Sequence, residues 1–136
     1  MKEAATRAPL TAQNYKSSYK PIWCPGCGDY SVLSSVTKAL AMVQVPPEDV
    51  VVVSGIGCSS RIPAYTTCYG FHGVHGRALA GVSQVLVVEQ NHGAQLFRYL
   101  RAMYDLPGKP ASYHRPGPLP LRPGELAAAI LDWRRA

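Results

Sequence analysis

The sequence predicts an α/β protein built on a small parallel sheet flanked by helices. Three observations carry that reading. Two β-type runs, Val50-Val51-Val52-Val53 and Gln84 to Glu89, are short and rich in branched residues. Apolar residues recur at helical spacing before, between and after them. The resulting order is helix, strand, helix, strand, helix, helix, which favours a layered α/β arrangement. Two strands make a thin sheet, so further strands are required from elsewhere.

The elements follow in order. Residues 1–20 mix Lys, Glu, Arg, Gln and Asn and read as a polar arm or covering loop. Pro21 to Gly28 is a compact turn region carrying Cys24 and Cys27. From Asp29 a helix is expected, with Val32, Val36, Leu40 and Val43 on one face and Pro46-Pro47 ending it. The run Val50 to Val53 is apolar throughout, as in a parallel-sheet strand buried on both faces. Residues 61–77 read as irregular, and Arg77-Ala78-Leu79-Ala80 as the first turn of a helix. Asn91-His92-Gly93 makes a turn before a helix from Ala94 to Tyr104, with Leu96, Tyr99, Leu100 and Met103 on its apolar face. Residues 105–123, with five prolines from Pro110 to Pro123, read as a loop or polyproline-like crossing. Pro123 suits a helix start, with Glu125 in the first turn and Leu126, Ile130 and Trp133 facing inward. No internal repeat is visible.

The 136 residues suffice for one ordinary domain, and their 47% apolar share permits a buried core. The net charge of +6 fits a basic soluble surface or attraction to an acidic or phosphorylated partner. Basic residues are scattered apart from Arg134-Arg135, so nucleic-acid binding is not expected. The start of the chain has no signal-like apolar core, and no window approaches the roughly 20 apolar residues of a membrane span. A cytoplasmic location is expected, with no membrane contact. The four cysteines are then better read as thiols or metal ligands than as disulfides.

Three segments could carry chemistry. In Trp23-Cys24-Pro25-Gly26-Cys27-Gly28, two thiols aimed the same way by a tight turn suit a metal or one corner of an iron–sulfur cluster. A redox dithiol or two incidental cysteines are the alternatives. In Gly55-Ile56-Gly57-Cys58-Ser59-Ser60, a Gly-rich turn after a strand lets backbone N–H groups approach an anion, or merely reverses the chain. Cys58 adds a third thiol there, and Cys68 would complete the four-thiolate set of a structural zinc module. In Tyr69-Gly70-Phe71-His72-Gly73-Val74-His75-Gly76-Arg77, glycines, histidines and an arginine precede a helix start, an arrangement that suits a diphosphate or a plain surface loop.

Those three segments, in that order, resemble the beginning of the beta subunit of the 2-oxoacid:ferredoxin oxidoreductases over about residues 15–80. The resemblance implies an oxidoreductase that converts a 2-oxoacid to an acyl-CoA and passes electrons to ferredoxin through a [4Fe–4S] cluster. It implies a thiamine-diphosphate-binding type of fold, present here in incomplete form. The implied cofactors are thiamine diphosphate, Mg²⁺ and the cluster. Cys24, Cys27 and Cys58 would be metal ligands, Ile56, Gly57, Cys58 and Ser59 would line the cofactor, and His75 would reach its diphosphate. No catalytic residue is assigned.

The family's Gly-Asp-Gly-Asp motif, which holds the Mg²⁺, has no counterpart among Asp29, Asp49, Asp105 and Asp132. Activity of this chain alone is therefore not expected. From Val85 onward, Val85-Leu86-Val87-Val88-Glu89-Gln90-Asn91-His92-Gly93 and His114-Arg115-Pro116-Gly117-Pro118-Leu119-Pro120-Leu121 resemble the C-terminal part of the alpha subunit of the same enzymes. The expected organisation is an arm at 1–20, a beta-subunit-like thiamine diphosphate and iron–sulfur segment at 21–80, and an alpha-subunit-like strand–helix–helix segment at 81–136. Such a chain reads as a truncated or fused remnant. Its implied partners are complete alpha and beta subunits, ferredoxin, coenzyme A and a 2-oxoacid, with 2-oxoglutarate placed before pyruvate. A non-catalytic docking piece is the further alternative. Glu89 and His92, at a strand end, are read as helix-capping and turn residues.

Overall fold

The computed structural model describes residues 8–73, 81–116 and 119–135. The helix expected to start at Arg77 lies outside the described residues, as does His75.

Among the described residues there are three α-helices: α1 (Asp29–Val43), α2 (Gln95–Met103) and α3 (Pro123–Arg135). Helix α1 stops one residue before Gln44, whose left-handed backbone (φ 58°) turns the chain ahead of the two prolines. The Gln44 side chain then binds both the N–H and the carbonyl of Leu10, at 2.9 and 2.8 Å. Burial on α1 is wider than the expected single face. Leu33, Ser35, Thr37, Ala39, Leu40 and Val43 are buried, while Val32 and Val36 are only partly covered. The helix is packed on several sides, and the polar side chains this buries bond to backbone, with the Thr37 hydroxyl donating to the Leu33 carbonyl at 2.9 Å.

The sheet expectation is correct in class and parallel sense and needs correction in its make-up. Among the described residues, four strands form two separate parallel pairs. β1 (Val51–Ser54) pairs with β2 (Tyr69–His72), and β3 (Leu86–Glu89) pairs with β4 (Ala111–His114). β2 lies in the span read as irregular and β4 in the span read as a proline-rich crossing. β4 contains no proline and fits between Pro110 and Pro116. β2 is exposed at all four positions, so its residues carry no burial pattern. Because each sheet has only two strands, Val51, Val52 and Val53 are half-buried rather than covered on both faces.

Gly70 is required where it stands. A Cβ there would lie 2.3 Å from Cβ of Pro63, so only glycine lets β2 lie against the 3-10 segment Cys58–Tyr65.

The core joins the two halves of the chain. Ala39 and Val43 of α1 pack with Leu126, Ala127 and Ile130 of α3, and Leu86, Val88 and Tyr113 of the second sheet close over them. A second cluster, Val85, Val87 and Leu100, holds α2 on that sheet, with Leu96 and Phe97 against it. Tyr99 and Met103 are exposed, so the inner face of α2 is Leu96, Phe97 and Leu100. The expected inner face of α3 is present at Leu126 and Ile130, with Trp133 partly covered.

Within the N-terminal arm, residues 8–20 are docked on this body. Tyr15 is completely buried, with its hydroxyl 3.1 Å from the Leu40 carbonyl and 2.5 Å from that of Val45. Backbone bonds from Ser17 N–H to Tyr65 and from Thr67 N–H to Tyr15, both 3.1 Å, add a strand-like contact. Among the described residues no helix is long and apolar enough to cross a membrane.

Candidate functional site

The turn Cys24-Pro25-Gly26-Cys27 is closed by a 3.0 Å bond from the Cys27 N–H to the Cys24 carbonyl, with Gly26 at φ 79°. That positive φ is costly for any residue bearing a Cβ. Trp23, just before the turn, is 5% exposed. Its indole meets the rings of Tyr30 and Tyr65 edge to face, with centroids 5.2 and 5.0 Å away. The Tyr30 hydroxyl donates to the Trp23 carbonyl at 3.0 Å.

The indole N–H of Trp23 crosses to the second segment and donates to the Cys58 carbonyl at 2.8 Å. A buried indole needs an acceptor, and this one ties the cysteine turn to the Gly55–Ser60 turn. The latter leaves the carboxyl end of β1, turns at Gly57 (φ 84°) and enters the 3-10 segment at Cys58. The Ser60 hydroxyl donates back to the Gly57 carbonyl at 2.6 Å, and the Ser59 hydroxyl donates to that of Ile56 at 3.4 Å. Ile56 is 80% exposed at the crest.

β1 and β2 end together, with Ser54 opposite His72. The segment entering the His75 region thus departs from the same edge as the Gly-rich turn, the edge at which open parallel sheets hold ligands. The hydroxyl of Ser54 is buried at this edge without a partner among the described residues. Buried polar atoms are normally satisfied.

Cys24 and Cys58 are exposed and Cys27 is half-buried. Cys27 Sγ lies 3.5 Å from Oδ2 of Asp29. Among the described residues no three His, Cys, Asp or Glu side chains are gathered closely enough to form a ready metal site. Cys68 does not join the other three. It is packed with Tyr15 and Leu40, and burial pushes its thiol up to about 11, against a weaker opposing hydrogen bond from Thr66. That environment disfavours the thiolate a metal needs, which counts against a four-thiolate zinc module. The aspartates are dispersed: Asp29 opens α1, Asp49 follows Pro46-Pro47, Asp105 follows α2 and Asp132 lies in α3.

Glu89 and His92 have the structural roles read from the sequence. Buried Glu89 accepts from the N–H groups of Leu96 at 2.7 Å and Phe97 at 3.0 Å, and from the Asn91 amide at 2.8 Å, so it caps α2. His92 is exposed in the turn. The residue that the motif reading underused is Trp23. A tryptophan beside two cysteines signals a buried ring whose N–H must find an acceptor, but the identity of that acceptor is not a property of the local sequence.

The Gly55–Ser60 turn carries the exposed Cys58 at the carboxyl edge of a parallel strand pair, and the chain's relatives are oxidoreductase subunits. It is 45% identical over 75 residues to 2-oxoglutarate oxidoreductase subunit KorB of Mycobacterium tuberculosis, a match covering 55% of this chain and 20% of that protein. It is 45% identical over 67 residues to 2-oxoacid:ferredoxin oxidoreductase 1, subunit beta, of Aeropyrum pernix, covering 49% of this chain and 21% of that one. With 2-oxoglutarate synthase subunit KorB of Methanocaldococcus jannaschii the identity is 38% over 76 residues, 56% of this chain and 28% of the relative. The chain is thus related to the 2-oxoacid:ferredoxin oxidoreductases, through a segment shared with their beta subunits. The matched stretch spans 20–28% of those relatives' lengths. No family model matches the chain. Among solved structures, 2-oxoglutarate:ferredoxin oxidoreductase from Magnetococcus marinus with 2-oxoglutarate, coenzyme A and succinyl-CoA bound aligns over 77% of this chain and 31% of that one, with 31% identity and a TM-score of 0.46.

Proposed function

We propose that this chain is a subunit, or a fused remnant of one, of a thiamine-diphosphate-dependent 2-oxoacid:ferredoxin oxidoreductase, and that it contributes an iron–sulfur position rather than a complete catalytic centre. The observation that carries this reading is the 2.8 Å bond from Trp23 to the Cys58 carbonyl, which ties the Cys24–Cys27 turn to the backbone of the turn that holds the third cysteine.

The donor set fits a [4Fe–4S] cluster in part. Cys24, Cys27 and Cys58 supply thiolates, the ligand type that such clusters require. Cys68 is excluded as the fourth by its separate burial, so that ligand comes from another group or a partner subunit. When bound, such a cluster accepts electrons one at a time. The chain's own part is to hold the two turns together through Trp23 and to keep two thiols open to solvent. Ile56, Gly57, Cys58 and Ser59 would line the thiamine diphosphate, with His75 toward its diphosphate. The Mg²⁺ that clamps a diphosphate is not matched by the residues present, since the four aspartates lie on separate elements and Mg²⁺ needs closely set oxygen ligands. No step of 2-oxoacid oxidation is therefore assigned to this chain. Complete partner subunits, ferredoxin and coenzyme A would complete the reaction, with 2-oxoglutarate the favoured 2-oxoacid because two of the three relatives above carry it in their names.

Anaerobic reconstitution with iron and sulfide tests the proposal. The expected product is brown protein with matched iron and acid-labile sulfide, lost in Cys24→Ser, Cys27→Ser or Cys58→Ser and kept in Cys68→Ser. Colourless protein, or one zinc per chain without sulfide, would overturn it.

A further inference from the structure

The second sheet ends in a cleft that the cysteine site does not use. β3 and β4 finish together, with Glu89 opposite His114, and α2 packs on the same sheet. Between α2 and the carboxyl end of β4 lies an open cleft of about 430 Å³, lined by Ala94, Phe97, Arg98, Arg101, Ser112 and His114.

Its polar groups are arranged in two pairs. Arg98 and Arg101 stand one turn apart on α2, and Ser112 and His114 are two residues apart on β4, so each pair shares a face. The Arg101 guanidinium carbon lies 5.7 Å from the centroid of the Phe97 ring, within cation–π range. Oγ of Ser112 and Nδ1 of His114 are 3.3 Å apart, which leaves Nε2 of His114 for another partner. Among the described residues neither arginine has a carboxylate partner. The carboxylate at the same sheet edge, Glu89, is buried and turned into the start of α2, where the amides of Leu96 and Phe97 hold it.

The cleft therefore presents an imidazole, a hydroxyl, the Phe97 ring and two guanidinium groups that have no carboxylate partner among the described residues, at the edge where parallel α/β sheets receive ligands. Guanidinium groups match phosphate oxygens in geometry and charge. We propose that this cleft is a binding site for a phosphorylated small molecule, its phosphate held between Arg98, Arg101 and His114. The proposal is independent of the cysteine site.

Calorimetric titration of the full chain with inorganic pyrophosphate tests it. Binding is expected to weaken as salt is raised. The pair Arg98→Gln and Arg101→Gln should reduce affinity at least about tenfold, since each charge-assisted contact carries roughly that much. The pair Arg134→Gln and Arg135→Gln removes the same charge from the exposed end of α3 and should leave affinity within about twofold, the size expected of distant screened charge. In the unsubstituted chain, pyrophosphate should shift the ring resonances of His114 and not those of His72 or His92. Equal losses in the two double variants, no binding at millimolar pyrophosphate, or an unmoved His114 would each overturn the proposal.

Discussion

Ser35 and Leu121, 86 positions apart, are joined by a 2.6 Å hydrogen bond from the buried serine hydroxyl to the leucine carbonyl. The bond pins the segment entering α3 onto α1, beside the cluster formed by Ala39, Val43, Leu126, Ala127 and Ile130. Truncating Leu126 to alanine should therefore destabilise the whole chain by about 2–5 kcal/mol, and Ser35→Ala by about 1 kcal/mol. Urea unfolding followed by tryptophan fluorescence measures both. A two-stage transition, with the Trp23 environment surviving loss of α3, would contradict a shared core.

The Trp23 indole is the strut between the two cysteine-bearing turns. Trp23→Phe retains most of the ring packing but loses the N–H and leaves the Cys58 carbonyl to find water. The expected cost is about 1 kcal/mol of stability, with a larger proportional loss of reconstituted iron and sulfide. Unchanged cluster content would remove Trp23 from the site.

Thiol chemistry should separate the cysteines. At neutral pH Cys24 and Cys58, both exposed, should react quickly with a disulfide reagent, and buried Cys68 only on unfolding. The Cys68 thiol is raised from 9.0 to about 11 in the fold, so the native state favours its protonated form. Its contribution to stability is complete below pH 9 and is lost as pH rises toward 11, because the unfolded chain deprotonates first. Denaturation midpoints across that range should fall in the parent chain and fall less in Cys68→Ala.

Gly70 has no room for a side chain. Gly70→Ala places a Cβ 2.3 Å from Pro63, and the overlap must be relieved by moving β2 off the 3-10 segment. A loss of about 1–3 kcal/mol is expected, read by thermal unfolding.

Glu89 supports α2 by accepting two of its first amides. Glu89→Ala should cost about 1–2 kcal/mol and speed hydrogen exchange at Leu96 and Phe97 before it affects α1. Uniform exchange across both helices would show that α2 is not an independently capped unit.

Local sequence was sufficient for the elements whose residues carry their own periodicity. Helices α1, α2 and α3 follow from apolar spacing, β1 and β3 from branched runs, and the α2 cap from an acidic residue at a strand end. The same reading located the cysteine turn and the Gly-rich turn, because backbone turns need glycine wherever φ is positive, as at Gly26 and Gly57. Tertiary structure alone decided the rest. β2 and β4 exist because β1 and β3 offer hydrogen-bonding edges, and Tyr69-Gly70-Phe71-His72 is four residues long, interrupted by glycine and exposed throughout, so its brief aromatic alternation does not mark a strand. The separation of Cys68 from the other three cysteines, and the placing of Arg98 and His114 on one cleft, likewise depend on how distant segments pack. Side-chain spacing encodes which face an element buries, whereas partner choice depends on the packing of the entire core, which no short stretch of residues contains.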